Sequence, residues 1–72
     1  MFRRVEMLSA RNQFKGTIKS VKLGQVIAEV VIEVTGLEVV SLISRGSVER
    51  LNLKEGDEAT AVIKATEVMV EK

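Results

Sequence analysis

"GTIKSVKLGQVIAEVVIEVTG", residues 16–36, decides the fold class. In its first half Ile18, Val21 and Leu23 stand among Thr17, Lys19, Ser20 and Lys22. In its second half Val26, Ala28, Val30, Ile32 and Val34 share one face, and Ile27, Glu29, Val31 and Glu33 share the other. A repeat of two is the period of a β-strand. The second segment is apolar on both faces, which points to contacts between subunits.

Working outward, "LEVVSLIS" (37–44), "EATAVIK" (58–64) and "TEVMVEK" (66–72) read as three more strands. Glycines fall at 16, 24, 36, 46 and 56, and turn signals every 8–12 residues mark an all-β sandwich or barrel. Proline is absent, so no strand is demoted on that ground. "SVERLNLKEGD" (47–57) is the exception. Ser47 is placed to cap one helical turn through Val48–Leu51, and Glu55-Gly56-Asp57 then turns the chain. Five strands with a short helical turn between the third and fourth predict an all-β, small Greek-key barrel of oligonucleotide/oligosaccharide-binding type.

A chain of 72 residues allows one domain. Domains this small usually need disulfides, a structural metal or a partner subunit. There is no Cys and no His, which removes disulfides and a Cys/His zinc site, yet 46% of the residues are apolar. Oligomerisation is the remaining remedy. "MFRRVEMLSAR" has no apolar segment after its basic residues, so it does not read as a secretory signal. No apolar run approaches the ~20 residues that span a bilayer. A soluble, cytoplasmic protein is expected.

The net charge of +1 is unevenly spread: residues 1–22 carry +5 and residues 23–72 carry −4. A basic first third favours an anionic partner, or it is only a solvated strand face. Catalysis is poorly supplied, since the commonest general base and the best nucleophile are both missing. The carboxylates sit at strand-alternation and turn positions, and no glycine-rich phosphate loop is present. A binding protein is expected, not an enzyme. Binding of single-stranded nucleic acid calls for stacking aromatics, and the only aromatic residues are Phe2 and Phe14.

Three polar clusters interrupt the aliphatic pattern: Ser9-Ala10-Arg11-Asn12, Ser44-Arg45-Gly46-Ser47 and Lys64-Ala65-Thr66. Each has a structural reading. Ser9 or Asn12 shapes the entry to a strand, Ser44 and Ser47 cap a helix, and Lys64 protects a sheet edge. Taken together they are rich in donors and free of carboxylates, which is what a small oxyanion needs.

The ordered set "SARN" with Gly16, "AEV" (28–30), "ISRGSVERLNLKEG" (43–56) and "IKAT" (63–66) resembles the molbindin family, whose unit is the Mop domain of TOBE type. The likeness runs from about Leu8 to Val70. It implies a five-stranded barrel whose subunits exchange strands and assemble as a homohexamer, a trimer of dimers. It implies molybdate or tungstate at subunit interfaces, held for storage or buffering, with no metal directly ligated and no further cofactor. "SARN" puts Ser9, Ala10 and Arg11 at the oxyanion. "ISRGS" puts Ser44 and Ser47 there from a neighbouring subunit, and "IKA" adds Lys64 and Ala65.

Arg45 stands where the family more often has a small or acidic residue, and Thr35-Gly36 stands where it often has Gly-Gly. Residues 8–72 are read as one Mop domain. Residues 1–7 are read as an extension, either an alternative start ahead of Met7 or a flexible basic arm. Neither nucleic acid nor membrane is expected as a partner. The alternatives are a non-catalytic assembly or adaptor module and a small nucleic-acid-binding barrel.

Overall fold

The structure, a computed structural model, describes residues 10–72, so the expectations for Ser9 and for residues 1–7 lie outside the described residues. The alternating segments form β1 (Asn12–Leu23), β2 (Ile27–Val34) and β3 (Leu37–Ser44). Helix α1 (Arg45–Leu51) and strand β4 (Glu58–Ile63) follow. The sheet order is β3-β2-β1-β4 with every neighbouring pair antiparallel. Read from the other edge it is 4-1-2-3, the order of a four-stranded Greek key.

β1 serves two partners. Asn12–Thr17 pairs with β4, and Thr17–Leu23 pairs with β2, with a register shift between Ile18 and Ser20. A register shift of this kind bends a strand, here where β1 passes from β4 to β2. The backbone of Ile18 is satisfied by the turn before β4: its N–H donates to the Asp57 carbonyl at 2.8 Å, and its carbonyl accepts from Gly56 N–H at 2.9 Å. Ile18, Ala28, Val30, Ile32, Val48 and Ala61 form the buried core. Ala28, Val30 and Ile32 are the alternating face read in the sequence. The outer face of β2 is open within one chain, with Ile27 exposed and Val31 half-buried.

Two of the five glycines are not turns. Gly46 lies in α1, and Gly16 lies inside β1 beside the bend. A Cβ on Gly16 would drive into the Glu33 carbonyl oxygen and sit 2.9 Å from Val34 Cγ2. Gly16→Ala is therefore expected to destabilise the fold by about 1–3 kcal/mol, since the β1–β2 backbones must part. Thermal unfolding followed by circular dichroism checks this. Gly36 does turn the chain: the Val34↔Leu37 pair leaves a two-residue loop with Thr35 at φ 45° and Gly36 at φ 84°. Such primed turns need positive φ at both positions, and Thr35, being β-branched, meets that requirement under strain.

Two further expectations are corrected. Of the two caps expected, Ser44 is the one found, so the helix starts earlier than a Ser47 cap implied. Ser44, with φ −67° and ψ 148°, is the N-cap, and its Oγ accepts from Ser47 N–H at 3.0 Å. The strand expected over 66–72 is absent, so four strands rather than five are found among the described residues. Ala65–Glu67 instead make a 3-10 turn, and Val68, Met69 and Val70 are 50%, 94% and 91% exposed. A strand exists only when a neighbouring edge pairs with it, and no edge of its own chain does so. A groove of about 690 Å³ meanwhile lies open between β3 and β4, floored by Ile18, Val30 and Ile32.

Candidate functional site

The register of β1 with β4 builds the first part of the site. Asn12 pairs with Ile63, so Arg11 and Lys64 are the first residues beyond the paired ends of two adjacent antiparallel strands. Both are exposed. Among the described residues neither takes part in an ion pair, whereas Lys15, Lys19 and Arg45 each face a carboxylate (Glu58, Glu38 and Glu49). Lys64 is extended (φ −67°, ψ 138°) and opens the 3-10 turn containing Ala65, with Glu67 N–H donating to its carbonyl at 2.8 Å. On the other strand, Gln13 Nε2 donates to the Ala10 carbonyl at 3.1 Å. Two of the three clusters read in the sequence thus share one corner.

The third cluster does not join them. Ser44 pairs with Ile27, beside the Ala28↔Leu23 pair, and so lies at the opposite end of β1 from Asn12. Twelve residues of strand put up to roughly 35 Å between the two ends. Here Ser44 Oγ donates to Ser47 Oγ at 2.8 Å, and Arg50 Nη2 donates to the same oxygen at 3.2 Å. Ser47 Oγ accepts twice, which leaves its own proton for a further acceptor.

Arg45 has a structural task. Its Nε lies 3.0 Å from Glu49 Oε2, its Nη1 donates to the Gly24 carbonyl at 3.3 Å, and its N–H donates to the Val26 carbonyl at 2.8 Å. It pins α1 to the β1–β2 turn. Arg45 is thereby committed before any ligand arrives.

Sequence reading missed Gln13 and Arg50. Arg50 was detectable as the residue one turn beyond Ser47, while the reach of Gln13 back to Ala10 carries no periodic signal. Away from both corners, the Lys19 amine is held above its usual range by its hydrogen bond to Glu38 and that carboxylate's charge. No cluster of His, Cys, Asp or Glu suited to a metal ion occurs among the described residues. The chemistry on offer is therefore donors and cations for an anion, split between the two ends of β1.

The TOBE domain family matches residues 8–70. The chain is 56% identical over 64 residues to molybdenum-pterin-binding protein 3 of Clostridium pasteurianum, covering 88% of this chain and 94% of that protein. Among solved structures it is similar to MopII from Clostridium pasteurianum, with a TM-score of 0.86, 52% identity, and 90% and 98% of the two chains covered. It is also similar to a molybdate-binding protein from Sporomusa ovata, with a TM-score of 0.88, 42% identity, and 90% and 97% covered.

Proposed function

We propose that this chain, which belongs to the TOBE domain family, binds molybdate between copies of itself and serves as a cytoplasmic store or buffer of the oxyanion. The observation that supports this reading is the Asn12↔Ile63 pairing at the end of the β1–β4 ladder, since Arg11 and Lys64 are the next residues beyond it on the two sides of that ladder. Two cations match the two charges of molybdate. Ser9, the Ala10 and Ala65 backbone, and Ser44 and Ser47 of a neighbouring copy supply the neutral donors that fix its orientation. No catalytic step is assigned to any of these residues.

Separation of the two corners supports a site closed by a second copy. So do the exposed apolar residues Val26 and Ile27 beside the Ser44 cluster, which suit an interface. The groove between β3 and β4 and the uncovered segment Val68–Val70 support exchange of a fifth strand between subunits. A homohexamer built as a trimer of dimers satisfies both needs.

Molybdate and sulfate are both tetrahedral dianions, so charge cannot separate them. Donors set for the longer metal–oxygen bonds leave sulfate under-coordinated. Tungstate, nearly the size of molybdate, fits the same cavity. Titration calorimetry on the assembled protein should show heat with molybdate and with tungstate that survives excess sulfate. Absence of heat with both oxyanions overturns the reading and leaves an assembly module.

A further inference from the structure

We infer that Gln13 is a positioning residue for the oxyanion, holding the Ala10–Arg11 peptide so that its N–H, rather than its carbonyl, meets the ligand. The inference rests on the molybdate-binding reading above.

The argument begins with the peptide unit. It is planar and trans, so the carbonyl of Ala10 and the N–H of Arg11 point in opposite directions. Whatever fixes one fixes the other. The carboxamide of Gln13 donates from Nε2 to the Ala10 carbonyl oxygen at 3.1 Å. Gln13 itself is anchored in β1, where it pairs with Val62 of β4. The peptide ahead of the strand is therefore tied to the sheet through a side chain.

Two consequences follow for an anion at the Arg11–Lys64 corner. The carbonyl oxygen, which would repel an oxyanion, is drawn to the Gln13 side and occupied. The Arg11 N–H is turned to the other side, where it adds a neutral donor beside the Arg11 guanidinium. Glutamine suits the task because its NH2 group donates. Glutamate of the same length would set a carboxylate against the carbonyl and add a negative charge near the ligand.

The test compares the assembled protein with Gln13→Ala and Gln13→Glu by calorimetry with molybdate and with sulfate, alongside solution mass and melting temperature. Loss of one orienting hydrogen bond is expected to weaken molybdate binding about tenfold in Gln13→Ala, and more in Gln13→Glu. The preference for molybdate over sulfate should shrink while mass and ligand-free melting stay unchanged, because Gln13 is exposed. A readout independent of any variant is the Arg11 amide proton resonance of the unsubstituted protein, which should move downfield as molybdate is added. Gln13→Ala binding with full affinity, or an Arg11 amide that does not move while molybdate binds, overturns the inference. Absence of molybdate binding by the unsubstituted protein overturns the function on which it rests, and the inference with it.

Discussion

Lys64→Ala is expected to weaken molybdate binding by about ten- to a hundredfold, the range of one charge-assisted hydrogen bond. The effect is large because of what remains behind. In the proposed site, closed between subunits, the dianion would give up its water, and removing one of two compensating cations would leave charge unpaired in a poorly solvated place. Arg11→Ala should cost a similar factor. The double variant should depart from the product of the two, since both cations act on one ligand and their effects are coupled.

Lys64→Arg separates charge from shape. It keeps the cation but brings a planar fork where a compact ammonium stood, and binding should fall between wild type and Lys64→Ala. Lys64 is exposed and unpaired among the described residues, so ligand-free melting should not change. Molybdate should instead lose most of its power to raise the melting temperature. Calorimetry and melting with and without molybdate check both points, and a Lys64→Ala protein that binds like wild type removes Lys64 from the site.

The parts of the fold that were legible in sequence are those decided locally. Alternation in residues 26–34 identified β2 and its buried Ala28, Val30 and Ile32. Gly36 and Gly56, with φ of 84° and 89°, are turns that the residue type announces. Gly16 was misread because close approach of another strand leaves the same mark in sequence as a turn does. Both Ser44 and Ser47 read as caps, and residue type could not choose between them because the cap falls where β3 releases the chain, which pairing decides. Arg11 and Lys64 were singled out through the family resemblance. Their nearness comes from the Asn12↔Ile63 register, which no spacing along the chain encodes. Arg50, one helical turn beyond Ser47, was open to reading from helix spacing, whereas the reach of Gln13 back to Ala10 from a strand has no periodic signal.

Removing residues 68–72 is expected to break the proposed assembly into chains that no longer bind molybdate. "TEVMVEK" has the alternation of a strand without a partner in its own chain, and a groove of about 690 Å³ lined by apolar residues lies open between β3 and β4. Filling one with the other would bury two valines, each worth about 1.5–3 kcal/mol, and would give two exposed strand edges their hydrogen bonds.

The pattern also says which face enters. Val68 and Val70 share one parity, and Glu67, Met69 and Glu71 share the other, so the valines should point into the groove. Val70→Asp should then dissociate the protein much as truncation does, while Met69→Asp, on the outer side, should leave its mass unchanged. Light scattering reads mass, and calorimetry reads binding on the same samples. A truncated chain that keeps the full mass would show that another segment fills the groove. A truncated chain that dissociates yet binds molybdate would show that one copy completes the site alone, against the placement of Ser44 and Lys64 at opposite ends of β1. The expected joint loss of mass and binding would tie closure of the barrel and closure of the oxyanion site to one exchanged strand.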